Sequence, residues 1–162
     1  MTLAVRRLAA DETARLRELR LRALVADPRA FAEPLAAARA APPERWERWA
    51  AQDGGAVFVA VDGDRWLGMV AAAPHEHVPG AVWLYALWVD PEARGAGLGG
   101  RLIEAIAGWA REQGATRLDL SVTTNNEPAA GLYARAGFVE TGRRRPLPSD
   151  PSRTEVFLSR PL

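Results

Sequence analysis

The amino-acid sequence predicts an α/β domain in which helices cover the faces of one mixed sheet. Its length of 162 residues suits one domain, and 48% of the residues are hydrophobic, which is enough for a substantial core. About seven segments have the alternation or the apolar run of a β-strand, and about four have helical spacing or helix boundary residues. Because neither a repeat nor a linker interrupts this order, we expect a single domain over residues 1–162.

The first third of the chain predicts one strand and two helices. Asp11 is the expected N-cap of the first helix, and Pro42-Pro43 is expected to open the second, because proline fits the first helical turn. The alanine-rich stretch 29–41 between these helices has no clear pattern. The predicted elements are a strand at 3–8, a helix at 11–25 and a helix at 42–52.

Strand patterns dominate the rest of the chain. Asp62-Gly63-Asp64 is typical of a hairpin turn, and Gly114 is the expected stop of a long helix. The predicted strands are 56–61, 65–73, 81–89, 117–122, 138–141 and 154–159. The predicted helices follow the glycine-rich turn 95–100, ending near 113, and occupy 128–136. We expect the last two strands to flank a polar loop that contains proline.

Composition excludes several kinds of chemistry. The chain has no lysine and no cysteine, so lysine nucleophiles, phosphate-binding P-loop lysines, thiolate nucleophiles and disulfides are all excluded. His75 and His77 alternate in a loop without a third ligand nearby, and we predict no metal site there. The net charge of +1 gives no reason to expect a nucleic acid or a membrane as partner. Because no signal peptide or membrane span is recognisable, a cytoplasmic location is expected.

The most informative segment, DPEARGAGLGG, runs from Asp90 to Gly100 between an apolar strand and an amphipathic helix. The first turn of a helix leaves backbone N–H groups unpaired and carries the positive end of the helix dipole, which together attract anions. Glycines let the backbone approach a phosphate closely, and an arginine adds a permanent charge. We therefore predict a diphosphate site built from Arg94, Gly95, Ala96, Gly97, Leu98, Gly99 and Gly100.

The same glycines also fit a dinucleotide-binding fingerprint, which would indicate a nucleotide-dependent oxidoreductase. Gly95, Gly97 and Gly100 have the required spacing, and Asp119 follows about twenty residues later. We reject this interpretation because the fingerprint should begin directly at the strand end, whereas residues 90–94 intervene. Asp119 is also predicted to lie inside a strand, and too few residues follow to complete such a domain.

Three blocks of sequence resemble the GNAT (Gcn5-related N-acetyltransferase) superfamily. Its signature, Gln/Arg-x-x-Gly-x-Gly/Ala, is filled by Arg94, Gly97 and Gly99. A second block, NEPAAGLY at 126–133 followed by Gly137-Phe138, has the family's order and separation. A third similarity, to one branch of the family, lies in residues 19–31.

The resemblance implies a mixed, mostly antiparallel sheet of about seven strands with about four flanking helices, acetyl-CoA as co-substrate and no metal. Residues 94–100 would then bind the pyrophosphate of acetyl-CoA. Leu87, Trp88 and Val89 would pair with the pantetheine arm as an added strand does, and an N–H near Val89 would polarise the thioester carbonyl. Tyr133 would protonate the departing thiolate, while Asn126 would contact pantetheine, cap the next helix, or do both.

The implied reaction is acetyl transfer to a primary amine of a small molecule or peptide. Direct attack in a ternary complex is expected, because no cysteine is available for an acetyl-enzyme. The general base stays open among Glu33, Glu76, Tyr85, a water relay and a residue from elsewhere in the chain. The acceptor groove is expected at the first two helices and at the loops 74–80 and 145–151. A homodimer is allowed by analogy with relatives, and a non-catalytic acetyl-CoA sensor is the alternative function.

Overall fold

The computed structural model describes residues 2–162 and contains seven strands and five α-helices in them. The strands are β1 (Leu3–Arg7), β2 (Ala56–Asp62), β3 (Arg65–Pro74), β4 (Ala81–Val89), β5 (Arg117–Thr123), β6 (Val139–Leu147) and β7 (Asp150–Pro161). The helices are α1 (Thr13–Ala26), α2 (Leu35–Ala40), α3 (Pro43–Ala51), α4 (Leu98–Glu112) and α5 (Glu127–Arg135). This architecture confirms the predicted class, with one more helix than expected.

All seven strands belong to one sheet, in the order β1-β2-β3-β4-β5-β7-β6. Every neighbouring pair is antiparallel except β4 and β5, which run parallel. These two strands pair only between Ala81–Trp83 and Arg117–Asp119. Beyond this short ladder β4 and β5 diverge, and the divergence opens the middle of the sheet.

A β-bulge changes the direction of β4 just before its carboxyl end. Tyr85 pairs with Ala71 and Trp88 pairs with Met69, so Ala86 and Leu87 together oppose the single residue Val70. Ala86 has a φ of 56°, in the left-handed region that residues with a Cβ seldom adopt. The bulge therefore aims the last residues of β4 separately from the first half of the strand.

The core lies on both faces of the sheet. The apolar stripe of α4, which includes the fully buried Leu102, Ile103 and Ile106, packs with α5 on one face. The other face is covered by α1 and α3, where Leu16 and Leu19 lie one helical turn apart and contact the sheet. The loops at the carboxyl ends of β4 and β5 are thereby held between two packed layers.

Two local predictions were wrong. The residue at the N-cap of α1 is Glu12 rather than Asp11, because the Glu12 carboxylate accepts the Ala9 N–H at 2.8 Å and pairs with Arg6. The polar segment 142–153 is mostly strand rather than loop, since β6 and β7 pair almost to their turn. β6 is an edge strand with eight exposed residues out of nine, so it lacks the apolar alternation that marks a strand in sequence. None of the helices within 2–162 is long and apolar enough to cross a membrane.

Candidate functional site

A cleft of about 1240 Å³ occupies the gap between β4 and β5. Its walls come from the end of β4, the loop before α4, the end of β5, α5 and the turn after α1. All the predicted site residues except Ala96 line it: Leu87, Trp88, Val89, Arg94, Gly95, Gly97, Leu98, Gly99, Gly100, Asn126 and Tyr133. The structure thus brings together two sequence blocks that are about thirty residues apart; their roles stay predictions.

The end of β4 presents backbone groups to the cleft. The N–H of Asp90 donates to the carbonyl of Leu67 on β3 at 2.7 Å. Because backbone groups alternate along a strand, the N–H and carbonyl of Val89 point away from β3, toward the cleft. The carbonyl of Val89 accordingly accepts a hydrogen bond from Arg94 Nε at 2.9 Å. An extended ligand lying beside β4 would find the strand's polar edge there.

The start of α4 presents unpaired backbone N–H groups, which are the donors that an anion site requires. Gly95 and Gly97 have φ values of 91° and 78°, and Gly97 is the N-cap without any side-chain cap. The first helical hydrogen bond runs from the N–H of Arg101 to the carbonyl of Gly97. The amides of Leu98 and the two residues after it precede this bond and find no acceptor elsewhere in residues 2–162. These donors and the positive end of a 15-residue helix face the same place.

Gly99 has a packing role beside its place in the anion site. A Cβ at this position would lie 2.9 Å from Leu132 Cδ2 of α5. The glycine therefore lets α5 approach the first turn of α4 closely. This approach sets α5, and with it Tyr133, against the cleft.

Asp27, at the end of α1, is a cleft residue that sequence reasoning missed. Its carboxylate accepts hydrogen bonds from Arg94 Nη2 and from Trp88 Nε1, both at 2.7 Å. Asp27 therefore links the C-terminal end of α1 both to the glycine-rich loop and to β4. The sequence did hold a signal for it, because Asp27 falls within the block 19–31 that resembles one branch of the family.

Tyr133 and Asn126 enter the cleft from α5. The Tyr133 side chain is 8% exposed and packs edge-on against Phe138, with ring centroids 5.7 Å apart. Burial raises the pKa of the Tyr133 phenol above its ordinary value, so the hydroxyl stays protonated at neutral pH. Asn126 Oδ1 accepts from the N–H of Ala129 at 3.4 Å, which confirms the helix-cap interpretation.

A second group of residues lines the cleft, of which only Leu147, in the expected acceptor segment 145–151, and Phe31, in the block 19–31, fall in segments that the sequence had marked. Phe31, Ser121, Leu147 and Glu155 come from four separate segments of the chain. Glu155 is 5% exposed, and its carboxylate pairs with Arg145 Nε and accepts Ser121 Oγ at 3.4 Å. A signal did exist in the sequence, since Glu155 is a lone charge within an otherwise uncharged strand pattern, TEVFLS.

None of the three candidate bases lines the cleft. Glu33 is held by Arg20 Nε at 3.2 Å and by Arg45 Nη2 at 3.0 Å. Burial alone would raise the pKa of Glu33, but the hydrogen bonds and charges of these two arginines lower it below its ordinary value. Tyr85 stacks on Trp49 with centroids 6.1 Å apart, and burial raises the pKa of Tyr85. Glu76 is exposed in the loop after β3.

His75 and Asp119, which the sequence analysis had considered for a metal site and a dinucleotide site, contact each other in the structure. His75 Nδ1 lies 2.9 Å from Asp119 Oδ2, which also accepts from Arg117. Asp119 lies inside β5 with its carboxylate engaged, in agreement with our rejection of the dinucleotide interpretation. Within residues 2–162 no three His, Cys, Asp or Glu side chains are grouped as metal ligands would be.

Comparisons with known proteins agree on one family. A sequence model of the acetyltransferase (GNAT) family matches residues 16–138. Among curated proteins, N-acetyltransferase 8F1 of Rattus norvegicus is 34% identical over 93 residues, which are 56% of this chain and 42% of that protein. The chain spans less than half the length of this relative, and the same holds for a mycothiol acetyltransferase of Actinosynnema mirum, at 39% identity over 57% of this chain and 30% of that protein.

Solved structures give the same fold over the whole chain. An acetyltransferase of the GNAT family from Streptococcus pneumoniae superposes with a TM-score of 0.82 at 22% identity, covering 99% of both chains. An acetyltransferase from Salmonella typhimurium, solved with its cofactor acetyl-CoA, gives a TM-score of 0.81 at 18% identity and covers 100% of this chain and 95% of the other. At these identities the likeness concerns the fold alone.

Proposed function

Because the chain belongs to the acetyltransferase (GNAT) family, we propose that it transfers the acetyl group of acetyl-CoA to a primary amine of a small molecule or peptide. The observation that carries this proposal is the cleft itself. It combines the unpaired amides at the start of α4, the free polar edge of β4 and the buried phenol of Tyr133. Each of these would meet a different part of acetyl-CoA.

The diphosphate would bind at the first turn of α4. The amides of residues 98–100 supply donors, and the helix dipole favours negative charge at that end. Arg94 would then exchange Asp27 for a phosphate oxygen, because a doubly charged diphosphate is the stronger partner for a guanidinium. Binding of the cofactor would thereby release the Asp27 carboxylate at the end of α1.

The pantetheine arm would extend along β4 in the manner of an added strand. The N–H of Val89 points into the cleft and would donate to the thioester carbonyl as negative charge develops on its oxygen. One such donor is typically worth about 3 kcal/mol in catalysis. Since the donor belongs to the backbone, no side-chain substitution would remove it.

The chemical step would be direct. The amine nitrogen attacks the thioester carbon, the C–S bond breaks, and the departing sulfur takes the proton of the Tyr133 hydroxyl. The proton that the amine releases returns to Tyr133 through water. Burial keeps Tyr133 protonated before the step, as an acid must be. An acetyl-enzyme through cysteine is excluded, because the chain has none.

The experiment follows the thiol product. Purified protein is incubated with acetyl-CoA and a panel of amines, and free thiol is measured against time, while CoA binding is measured by calorimetry. We expect both binding and amine-dependent thiol release. If the protein neither bound CoA nor released thiol with any amine, the proposal would be wrong.

A non-catalytic acetyl-CoA sensor is the second candidate. It is favoured by one observation, namely that none of the candidate bases Glu33, Glu76 and Tyr85 lines the cleft. A sensor would bind acetyl-CoA without turnover and would tolerate Tyr133→Phe. The enzyme would keep its affinity for acetyl-CoA but lose most of its rate on that substitution.

A further inference from the structure

We propose that Glu155, with Ser121 beside it, is the site that binds the ammonium group of the acceptor. This inference rests on the proposed acetyl transfer and adds the chemistry of the acceptor's recognition. It makes the acceptor a primary amine that arrives as a cation and gives up one proton to water before its nitrogen attacks the thioester. The site is formed where β5 and β7 line the cleft opposite the glycine-rich loop.

Burial makes the Glu155 carboxylate unusual on this wall. The residue is 5% exposed, and a buried carboxylate is costly unless donors surround it. Arg145 Nε contacts Oε1, whereas within residues 2–162 Oε2 has only the Ser121 hydroxyl, at a long 3.4 Å. A carboxylate accepts about four hydrogen bonds, and an ammonium offers three donors and no acceptor. Oε2 therefore has the capacity that an ammonium requires.

The position of Glu155 suits an acceptor rather than the cofactor. Val122 and Val156 pack beneath α4, so their strand neighbours Ser121 and Glu155 project from the opposite face of the sheet. Glu155 is also paired in register with Thr123, at the end of β5 that diverges from β4. An ammonium on Oε2 would thus approach the gap between β4 and β5 from the face opposite α4.

The other acidic side chains that line the cleft already have hydrogen-bond or ion-pair partners. Among the residues of 2–162 that line it, the other acids are Asp27 and Glu104. Asp27 would keep the hydrogen bond from Trp88 Nε1 after Arg94 leaves it for a phosphate, and Glu104 is exposed on α4, where it pairs with Arg160 at 2.7 Å. Glu155 is consequently the acid best placed to select a cationic acceptor. Arg145 fixes its orientation and leaves Oε2 for the ligand.

The test replaces the charge with a neutral amide in Glu155→Gln. Steady-state kinetics are measured with n-butylamine, cadaverine and lysine as acceptors at saturating acetyl-CoA. Because a charged hydrogen bond to the ammonium is lost, we expect the acceptor KM to rise about tenfold or more, with kcat changed less than about threefold. The Kd of CoA, measured by calorimetry, should not change. Glu140→Gln is the matched control, since Glu140 is an exposed glutamate of β6 paired with Arg144; it should alter none of these values.

Two outcomes would overturn the inference while leaving the proposed function intact. One is an acceptor KM for Glu155→Gln within about twofold of the unmodified protein. The other is a fall in kcat at constant KM, which would make Glu155 a participant in proton transfer rather than an ammonium site. If the unmodified protein bound CoA but acetylated none of the amines, the proposed function itself would fail, and this inference with it.

A second variant covers the case in which Glu155→Gln does not fold. Glu155→Asp keeps the charge and the partner Arg145 but withdraws the carboxylate by one methylene. We expect its acceptor KM to rise about three- to fivefold with kcat retained, since the ammonium contact lengthens. An unchanged KM in this variant would contradict the inference.

Discussion

The two halves of the cleft are built in opposite ways. The donor half consists of residues 94–100 with the start of α4, a single run of chain that offers backbone amides. The acceptor half consists of Phe31, Ser121, Leu147 and Glu155, which come from four segments and offer side chains. Tyr133, on α5, also lines the cleft and belongs to neither half. In the proposed function the backbone would recognise the constant cofactor, and replaceable side chains would recognise the acceptor.

This difference has a consequence for substitution. In the donor half a side chain matters chiefly through the backbone conformation that it permits, as at Gly95 and Gly97 with their positive φ values. In the acceptor half each residue contributes its own side chain, and Ser121 and Glu155 alternate along their strands with the core residues Val122 and Val156. Substitutions in the two halves should therefore change different kinetic constants.

The largest effect is expected from Tyr133→Phe, at the junction of the halves. Removing the phenolic proton should lower kcat by about a hundredfold or more, the usual contribution of a general acid. The Kd of CoA should stay the same, because the ring still fills its place against Phe138. Phe138→Leu is a control for packing, and we expect it to lower Tm while kcat falls much less. A Tyr133→Phe variant with undiminished kcat would show that Tyr133 is not the general acid.

Gly97→Val tests whether the donor half works through its backbone. A β-branched residue at a φ of 78° is strained, so the first turn of α4 should shift and the Kd of CoA should rise about tenfold or more. Gly114→Val, at the other end of the same helix, is the matched control. Gly114 has a φ of 81°, and neither glycine has an atom within 4 Å of an added Cβ.

Both glycine variants should lose about 1–2 kcal/mol of stability, the cost of placing a side chain in the left-handed region. Only Gly97→Val should weaken CoA binding in a calorimetric titration. Equal CoA affinity in the two variants would refute the backbone role of the donor half.

Substitutions of the two partners Arg94 and Asp27 should have smaller effects on the Kd of CoA, and the two effects should have opposite signs. Arg94→Gln should raise the Kd of CoA about three- to fivefold, because a partly exposed charge contact with a phosphate is lost. Asp27→Asn should lower the Kd by a smaller factor, because Arg94 no longer has to leave a carboxylate. Calorimetric titration of both variants with CoA measures these two changes in Kd. If the two substitutions changed the Kd in the same direction, the exchange of partners would be wrong.

The smallest effect is expected from Glu12→Gln, far from both halves. The Arg6 guanidinium lowers the pKa of Glu12 from 4.5 to about 2. A carboxylate with a lowered pKa stabilises the fold above its unfolded pKa, and this contribution is lost as the pH falls toward the folded value. The variant should therefore be less stable at pH 7 by at most about 1 kcal/mol, since the pair is near the surface.

Urea unfolding at a series of pH values checks this prediction. The difference from the unmodified protein should narrow between pH 4.5 and about 2. Glu18→Gln, on the exposed face of the same helix, is the control. Neither substitution should change kcat, the acceptor KM or the Kd of CoA.

The order of the strands and of four of the five helices, the prediction of an anion site and the excluded chemistries all came from the order of residues along the chain. Each depends on interactions between near neighbours: glycine conformations, a helix start after Gly97, or the absence of a residue type. The failures were also local. Glu12, rather than Asp11, occupies the N-cap position of α1, and its carboxylate has Arg6 on β1 as a partner. The segment β6 is a strand because it pairs with β7.

Contacts between distant segments had to come from the folded molecule. The divergence of β4 from β5, the Arg94–Asp27 pair and the placement of Glu155 beside Ser121 join residues that are separated by 34 or more positions. Such contacts depend on how the whole sheet and its helices pack, which is the sum of many weak interactions that no short segment contains. The donor half could be predicted from the sequence because a single short segment forms it, whereas the acceptor half forms only where four segments meet in the folded chain.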